Sequence, residues 1–176
     1  MLLLALSSAQ KVQTLQALDI NSTSIEETKI VFTVVQRLNT SRPGHNSLRV
    51  MIPKVLRNKS ISPYLHLLHY IDRSASLRNL SDSTQLSISL NKPHKGVTSS
   101  SLARSIKDIL QDCGDNTSVY KAHSTRSAAT SKAFLHGASI AEILKLAYWT
   151  NEKTFTKYYY RSVASDTQLG EIILTR

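Results

Sequence analysis

His123 and Arg126 stand three residues apart in Ala122-His123-Ser124-Thr125-Arg126, just ahead of Ser127-Ala128-Ala129-Thr130-Ser131-Lys132-Ala133, which is good helix sequence. Positions i and i+3 share a helix face. At a helix start they also lie beside unpaired backbone N–H groups, so one small surface gathers positive potential. That suits a phosphate: a group able to give or take a proton stands next to a planar fork that can hold two phosphate oxygens. About one helix later come Trp149 and then Tyr158-Tyr159-Tyr160-Arg161. Taken as bare features, a lone Trp reads as a packing residue and three tyrosines as an aromatic packing or stacking surface.

Taken together, the spacing says more. A His-x-x-Arg helix, a Trp about one helix later and a Tyr nine or ten residues after the Trp resemble the tyrosine recombinase (phage integrase) family. The wording is similar to that of DIRS and Ngaro-like retroelement recombinases in four places: Thr40-Ser41-Arg42-Pro43-Gly44, Lys92-Pro93-His94-Lys95, Ala122-His123-Ser124-Thr125-Arg126 and Lys153-Thr154-Phe155. The resemblance runs from about Leu2 to Arg161, leaving 162–176 as a tail. It implies one catalytic domain over residues 1–161, without the separate N-terminal domain that helps such enzymes clamp DNA. It also implies the chemistry. A Tyr oxygen attacks a phosphodiester, releases a 5′ hydroxyl and stores the bond as a 3′-phosphotyrosine, with no metal or cofactor. Guanidiniums and N–H donors must converge on the charged transition state, and something must protonate the leaving oxygen. Arg126 fits the first role, His123 fits proton handling or phosphate positioning, and Trp149 would offer its indole N–H. The spacing of many integrases makes Tyr158 the nucleophile. The retroelement pattern, an aromatic just before the nucleophile, makes it Tyr159, which is preferred.

Two positions depart from the pattern. Where the family places its first catalytic arginine, after an N-terminal helix, this sequence has Lys11 in Ser8-Ala9-Gln10-Lys11-Val12. Lysine keeps the charge but loses the two-pronged grip. Where the family places a lysine ahead of the Thr-Ser-Arg-Pro-Gly turn, this sequence has Asn39, which cannot act as a cationic acid. Two readings therefore stay open: DNA recombination or integration with impaired cleavage, and a catalytically inactive DNA-binding module with the same fold. A degenerate mobile-element copy would give either. A basic helical protein with an RNA or membrane partner is a third class, which the C-terminal motifs disfavour.

Charge points the same way. The 176 residues carry 22 Lys and Arg against 12 Asp and Glu, a formal net charge of +10. Such an excess favours polyanions. It is spread along the chain rather than gathered in a tail, which fits a folded surface laid along double-stranded DNA, alone or as a homo-oligomer, and equally fits a merely soluble basic domain. Arg37, Arg42, Lys92, Lys95, Arg104 and Lys132 are the expected DNA contacts. Cys113 is the only cysteine, so no internal disulfide can form. The apolar start Met1-Leu2-Leu3-Leu4-Ala5-Leu6 is too short for a signal peptide and has no basic residue before it. No stretch approaches the ~20 apolar residues of a membrane span. A nuclear location follows if the source is eukaryotic; secretion does not.

The elements that must position these residues read as α+β and mostly helical, and the resemblance implies a small three-stranded antiparallel sheet. Residues 1–18 read as one helix burying Leu3, Leu6, Leu15 and Leu18. Lys29 to Val35 and Leu48 to Ile52 read as paired strands around the Ser41-Arg42-Pro43-Gly44 turn, with Arg37, Arg42 and Arg49 near the tip and edges. Gln85 to Leu90 alternates and reads as a third strand. Helices are expected from Ser62-Pro63, over about 98–113, and over about 124–136, 139–147 and 151–160. Gly114 and Gly137 act as stops.

Overall fold

The computed structural model describes residues 1–36, 38, 47–149 and 152–158, without the side chains of Thr154, Lys157 and Tyr158. The order is α1 (Leu2–Ser8), α2 (Val12–Gln16), β1 (Thr23–Ile25), β2 (Lys29–Val34), β3 (Leu48–Pro53), a 3-10 turn (Lys59–Ile61), α3 (Pro63–Arg78), α4 (Ser99–Asp112), α5 (Ser124–Leu135), α6 (Ile140–Ala147) and α7 (Glu152–Tyr158).

The single helix expected over 1–18 is two. Ala9 takes a left-handed conformation (φ 53, ψ 26), its N–H still bonded to Ala5 O, and the chain restarts at Lys11 in an extended conformation. The break resets the helical register. Leu15 and Leu18 are fully buried as expected, but Leu4 and Ala5 take the inner face of α1, while Leu6 is 39% exposed.

The sheet has three antiparallel strands in the order β1-β2-β3. β2 is central, with Phe32 opposite Thr23 on one side and Val50 on the other. Its third member is Thr23–Ile25, not residues 85–90 as expected. Those residues make only isolated bridges, Asp19 with Gln85 and Ile88 with Gly96. Leu86 and Ile88 are indeed buried, so the alternation reported burial. The carbonyls of Gln85 and Leu86 are taken by the Arg78 guanidinium, and the Leu86 N–H bonds Leu18 O, in place of a neighbouring strand.

The core gathers Leu4, Leu15, Leu18, Ile30, Phe32, Val50, Ile52, Leu67, Leu86 and Ile106 between the sheet and α1–α4. α1 packs on α5 and β3, and α6 packs on α5 and α7. The buried residues of α5 besides Arg126 are small, namely Thr125, Ser127, Thr130 and Ser131, which lets α1 come close. α6 begins in a capping box: Ser139 Oγ accepts from the Glu142 N–H, and Glu142 accepts from the Ser139 N–H. Among the described residues no helix is long and apolar enough to cross a membrane.

Candidate active site

The last turn of α6 is where Arg126 and Trp149 meet. A helix ends with unpaired carbonyls and the negative end of its dipole, so donors and cations collect there. Leu146 O accepts from Gln10 Nε2 at 2.7 Å, across 136 residues of sequence. Ala147 O accepts from Arg126 Nη2. Tyr148 is left-handed (φ 52, ψ 46), and its N–H and that of Trp149 bond back to Lys145 O and Leu144 O. This is the helix-stop geometry that glycine usually supplies. Trp149 then turns its ring onto Arg126, with the guanidinium carbon 4.5 Å from the ring centroid.

Arg126 is 4% exposed, so burial, the Ala147 carbonyl and the Trp149 face together fix its direction. Each contact suits a cation: a charge-assisted hydrogen bond and a cation–π contact. Behind them, Phe155 of α7 is fully buried, 5.9 Å from the Trp149 ring and 5.9 Å from the Phe134 ring of α5. This aromatic stack seats α7, whose last residue is Tyr158.

Gln10 also sets Lys11, the next residue. Gln10 is 4% exposed and its side chain is tied to Leu146 O and Ser8 O, so the α1–α2 turn is pinned to α6. Lys11, the residue preceding α2, therefore lies near Arg126. Partial burial pushes its ammonium below the ordinary lysine range, and the positive charge of Arg126 pushes it the same way. Two cations from distant parts of the sequence thus share one small region, an arrangement an anion would relieve.

His123 immediately precedes α5, one turn from Arg126, and is exposed where Arg126 is buried; its side chain caps no backbone N–H. Tyr158 is the last residue of α7. Its side chain and the whole of Tyr159 lie outside the described residues, as do Arg37, Asn39 and Arg42. The other expected DNA contacts are all exposed. Lys92 and Lys95 flank the buried His94, whose ring bonds Ser89 O and whose carbonyl accepts from Ser81 Oγ. Arg104 lies on α4, against which α2 packs. Lys132 is in the last turn of α5, roughly 14 Å along the helix from His123. Among the described residues no group of three or more His, Cys, Asp or Glu could hold a metal ion.

No family model matches the sequence, and no curated protein matches it. Solved structures do. The XerA recombinase aligns with a TM-score of 0.68 at 20% identity, over 96% of this chain and 52% of that one. The XerH site-specific recombinase bound to difH substrate, in a pre-cleavage complex, aligns with a TM-score of 0.66 at 14% identity, over 99% and 45%. The Tn1549 transposon integrase in complex with transposon right end DNA gives 0.64 at 13%, over 99% and 57%. The fold is that of the recombinases. The chain spans about half the length of these structures.

Sequence reasoning missed three residues that build this site. Gln10 and Tyr148 carry no local signal, since their partners are far away in sequence. Phe155 stood in the Lys153-Thr154-Phe155 motif, but nothing in the motif says that it packs on Trp149.

Proposed function

We propose that this chain is a DNA strand-exchange protein that cleaves and rejoins strands through a 3′-phosphotyrosine, with cleavage impaired by Lys11 and Asn39. The observation that carries the reading is the Arg126 guanidinium held between Ala147 O and the Trp149 ring at the end of α6, with Lys11 close enough to feel its charge, within a fold shared with recombinases and integrases, two of them bound to DNA. In the proposed step the oxygen of Tyr159, or of Tyr158 on the shorter spacing, attacks phosphorus. The tyrosine O–H loses its proton, the P–O5′ bond breaks and the 5′ oxygen takes a proton, and His123 is the residue assigned to proton handling. Arg126, Lys11 and the Trp149 indole N–H hold the non-bridging oxygens. Rejoining is the reverse step with another 5′ hydroxyl, so the bond energy is conserved and no cofactor enters.

Removing one convergent donor typically costs about 3 kcal/mol, or a hundredfold in rate. The substitution of two positions therefore supports a second reading, a DNA-binding module that no longer cuts. The motif wording supports a DIRS or Ngaro-like retroelement source, with nuclear localisation and assembly on DNA as a homo-oligomer. A nicked duplex that loses its 5′ fragment on cleavage separates the two main readings. A covalent protein–DNA adduct mapped to Tyr159 or Tyr158 supports the enzyme. Binding with no adduct, even after Lys11→Arg and Asn39→Lys are combined, supports the module.

A further inference from the structure

We propose that Tyr148 is a positioning residue that sets Arg126 and Trp149 in place by clamping the end of α6 to the sheet. Its activity consequence rests on the recombinase reading; its geometric consequence does not. Tyr148 occupies a left-handed position (φ 52, ψ 46), where a side chain is disfavoured and glycine is the usual choice. Burial does not explain a tyrosine there, because the residue is 43% exposed. Its hydroxyl does. The oxygen accepts from the Arg49 N–H at 2.8 Å and donates to the Arg49 carbonyl at 2.8 Å.

β3 is an edge strand, and Arg49 turns both of these backbone groups away from β2. One phenol thus satisfies the donor and the acceptor of an edge residue, as a neighbouring strand would. The clamp falls between two residues that matter. The carbonyl before it, Ala147 O, holds Arg126, and the residue after it, Trp149, stacks on Arg126 and on Phe155. A small rotation at Tyr148 moves both contacts together. A glycine would end the helix equally well and leave that rotation free.

Trp149 is the only tryptophan, so its emission reports on the site directly. Tyr148→Phe removes one oxygen and keeps the ring. The expected result is a red-shifted Trp149 emission with roughly twofold stronger acrylamide quenching, in a protein that keeps its circular dichroism. At saturating nicked duplex the adduct rate should fall about tenfold or more, because small misplacements are costly to catalysis. The half-saturating DNA concentration should stay within roughly twofold, since a rate loss without a binding loss is the signature of misplacement. Arg49→Ala keeps the backbone groups and should leave Trp149 emission unchanged. Unaltered emission and quenching in Tyr148→Phe would overturn the proposal, as would an equal shift in Arg49→Ala. If the native chain forms no adduct at all, the recombinase reading fails, while the emission still decides the role of Tyr148. If Tyr148→Phe does not fold, hydrogen exchange at the Arg49 amide of the native chain decides it: slow exchange supports the clamp, and exchange at the rate of an open amide overturns it.

Discussion

Lys11→Met should make the protein more stable and a poorer DNA binder. The ammonium of Lys11 is held below its ordinary value of 10.5 by burial and by Arg126. The unfolded chain therefore holds that proton more tightly than the folded one. Stability rises as pH climbs from the lowered folded-state value towards 10.5, and at neutral pH the charge is a net cost to folding. Methionine keeps most of the stem and removes the charge. Lys11 is largely exposed, so water screens the repulsion. Its removal is worth about 0.5–1 kcal/mol, the scale of solvated charge pairs. For a 176-residue chain that raises Tm by about 1–4 °C. The gain should shrink in about 1 M salt, where charges are screened within ~3 Å, and in an Arg126→Met background. Urea unfolding followed through Trp149, at low and high salt, measures all of this. A drop in stability at low salt, or a gain indifferent to both salt and Arg126, would refute the claim that these cations share one site.

Four other outcomes are expected. Ala9→Gly should add about 1 kcal/mol, since a left-handed Ala costs ~1–2 kcal/mol that glycine does not, read as a higher urea midpoint with unchanged slope. Phe155→Ala should cost about 3–4 kcal/mol locally and undock α7, read as proteolysis after Trp149 while the rest of the chain stays resistant. Duplex affinity should fall steeply with salt, and Lys92→Ala with Lys95→Ala should reduce the log–log slope by roughly 1.8, at ~0.9 per phosphate contact; an unchanged slope removes that loop from the interface. Lys11→Arg with Asn39→Lys should raise adduct formation about a hundredfold or more, and Tyr159→Phe, or Tyr158→Phe on the shorter spacing, should abolish the gain.

What the sequence made legible were features whose causes are local. α3 starts at Pro63 after Ser62, α4 is capped by Thr98 and α6 by Ser139 with Glu142. Gly114 and Gly137 stop their helices at φ 88 and 90. The His123–Arg126 pair lies at the start of α5 as its spacing suggested. Features with distant causes were not legible. Thr23–Ile25 is too short to show a period and is a strand only because Phe32 and its neighbours lie beside it. Residues 85–90 alternate because Leu86 and Ile88 are buried, yet a guanidinium from α3 replaces the strand that alternation implied. Ala9 and Tyr148 both end helices in left-handed conformations without the glycine that would announce them. The position of Lys11 depends on an amide, that of Gln10, reaching a carbonyl 136 residues away.

The claim that the end of α6 is a DNA phosphate site is tested most directly by titrating duplex DNA while following Trp149, with fluorescence anisotropy of labelled DNA as the independent measure of binding. Trp149 touches Arg126 and is the chain's single tryptophan. A phosphate held by Arg126 and Lys11 must alter its surroundings. The account predicts an emission change that saturates at the same DNA concentration as the anisotropy, and that is lost in Lys11→Met at concentrations where the native chain is saturated. DNA binding with Trp149 emission unmoved would place the duplex elsewhere on the protein and contradict the account.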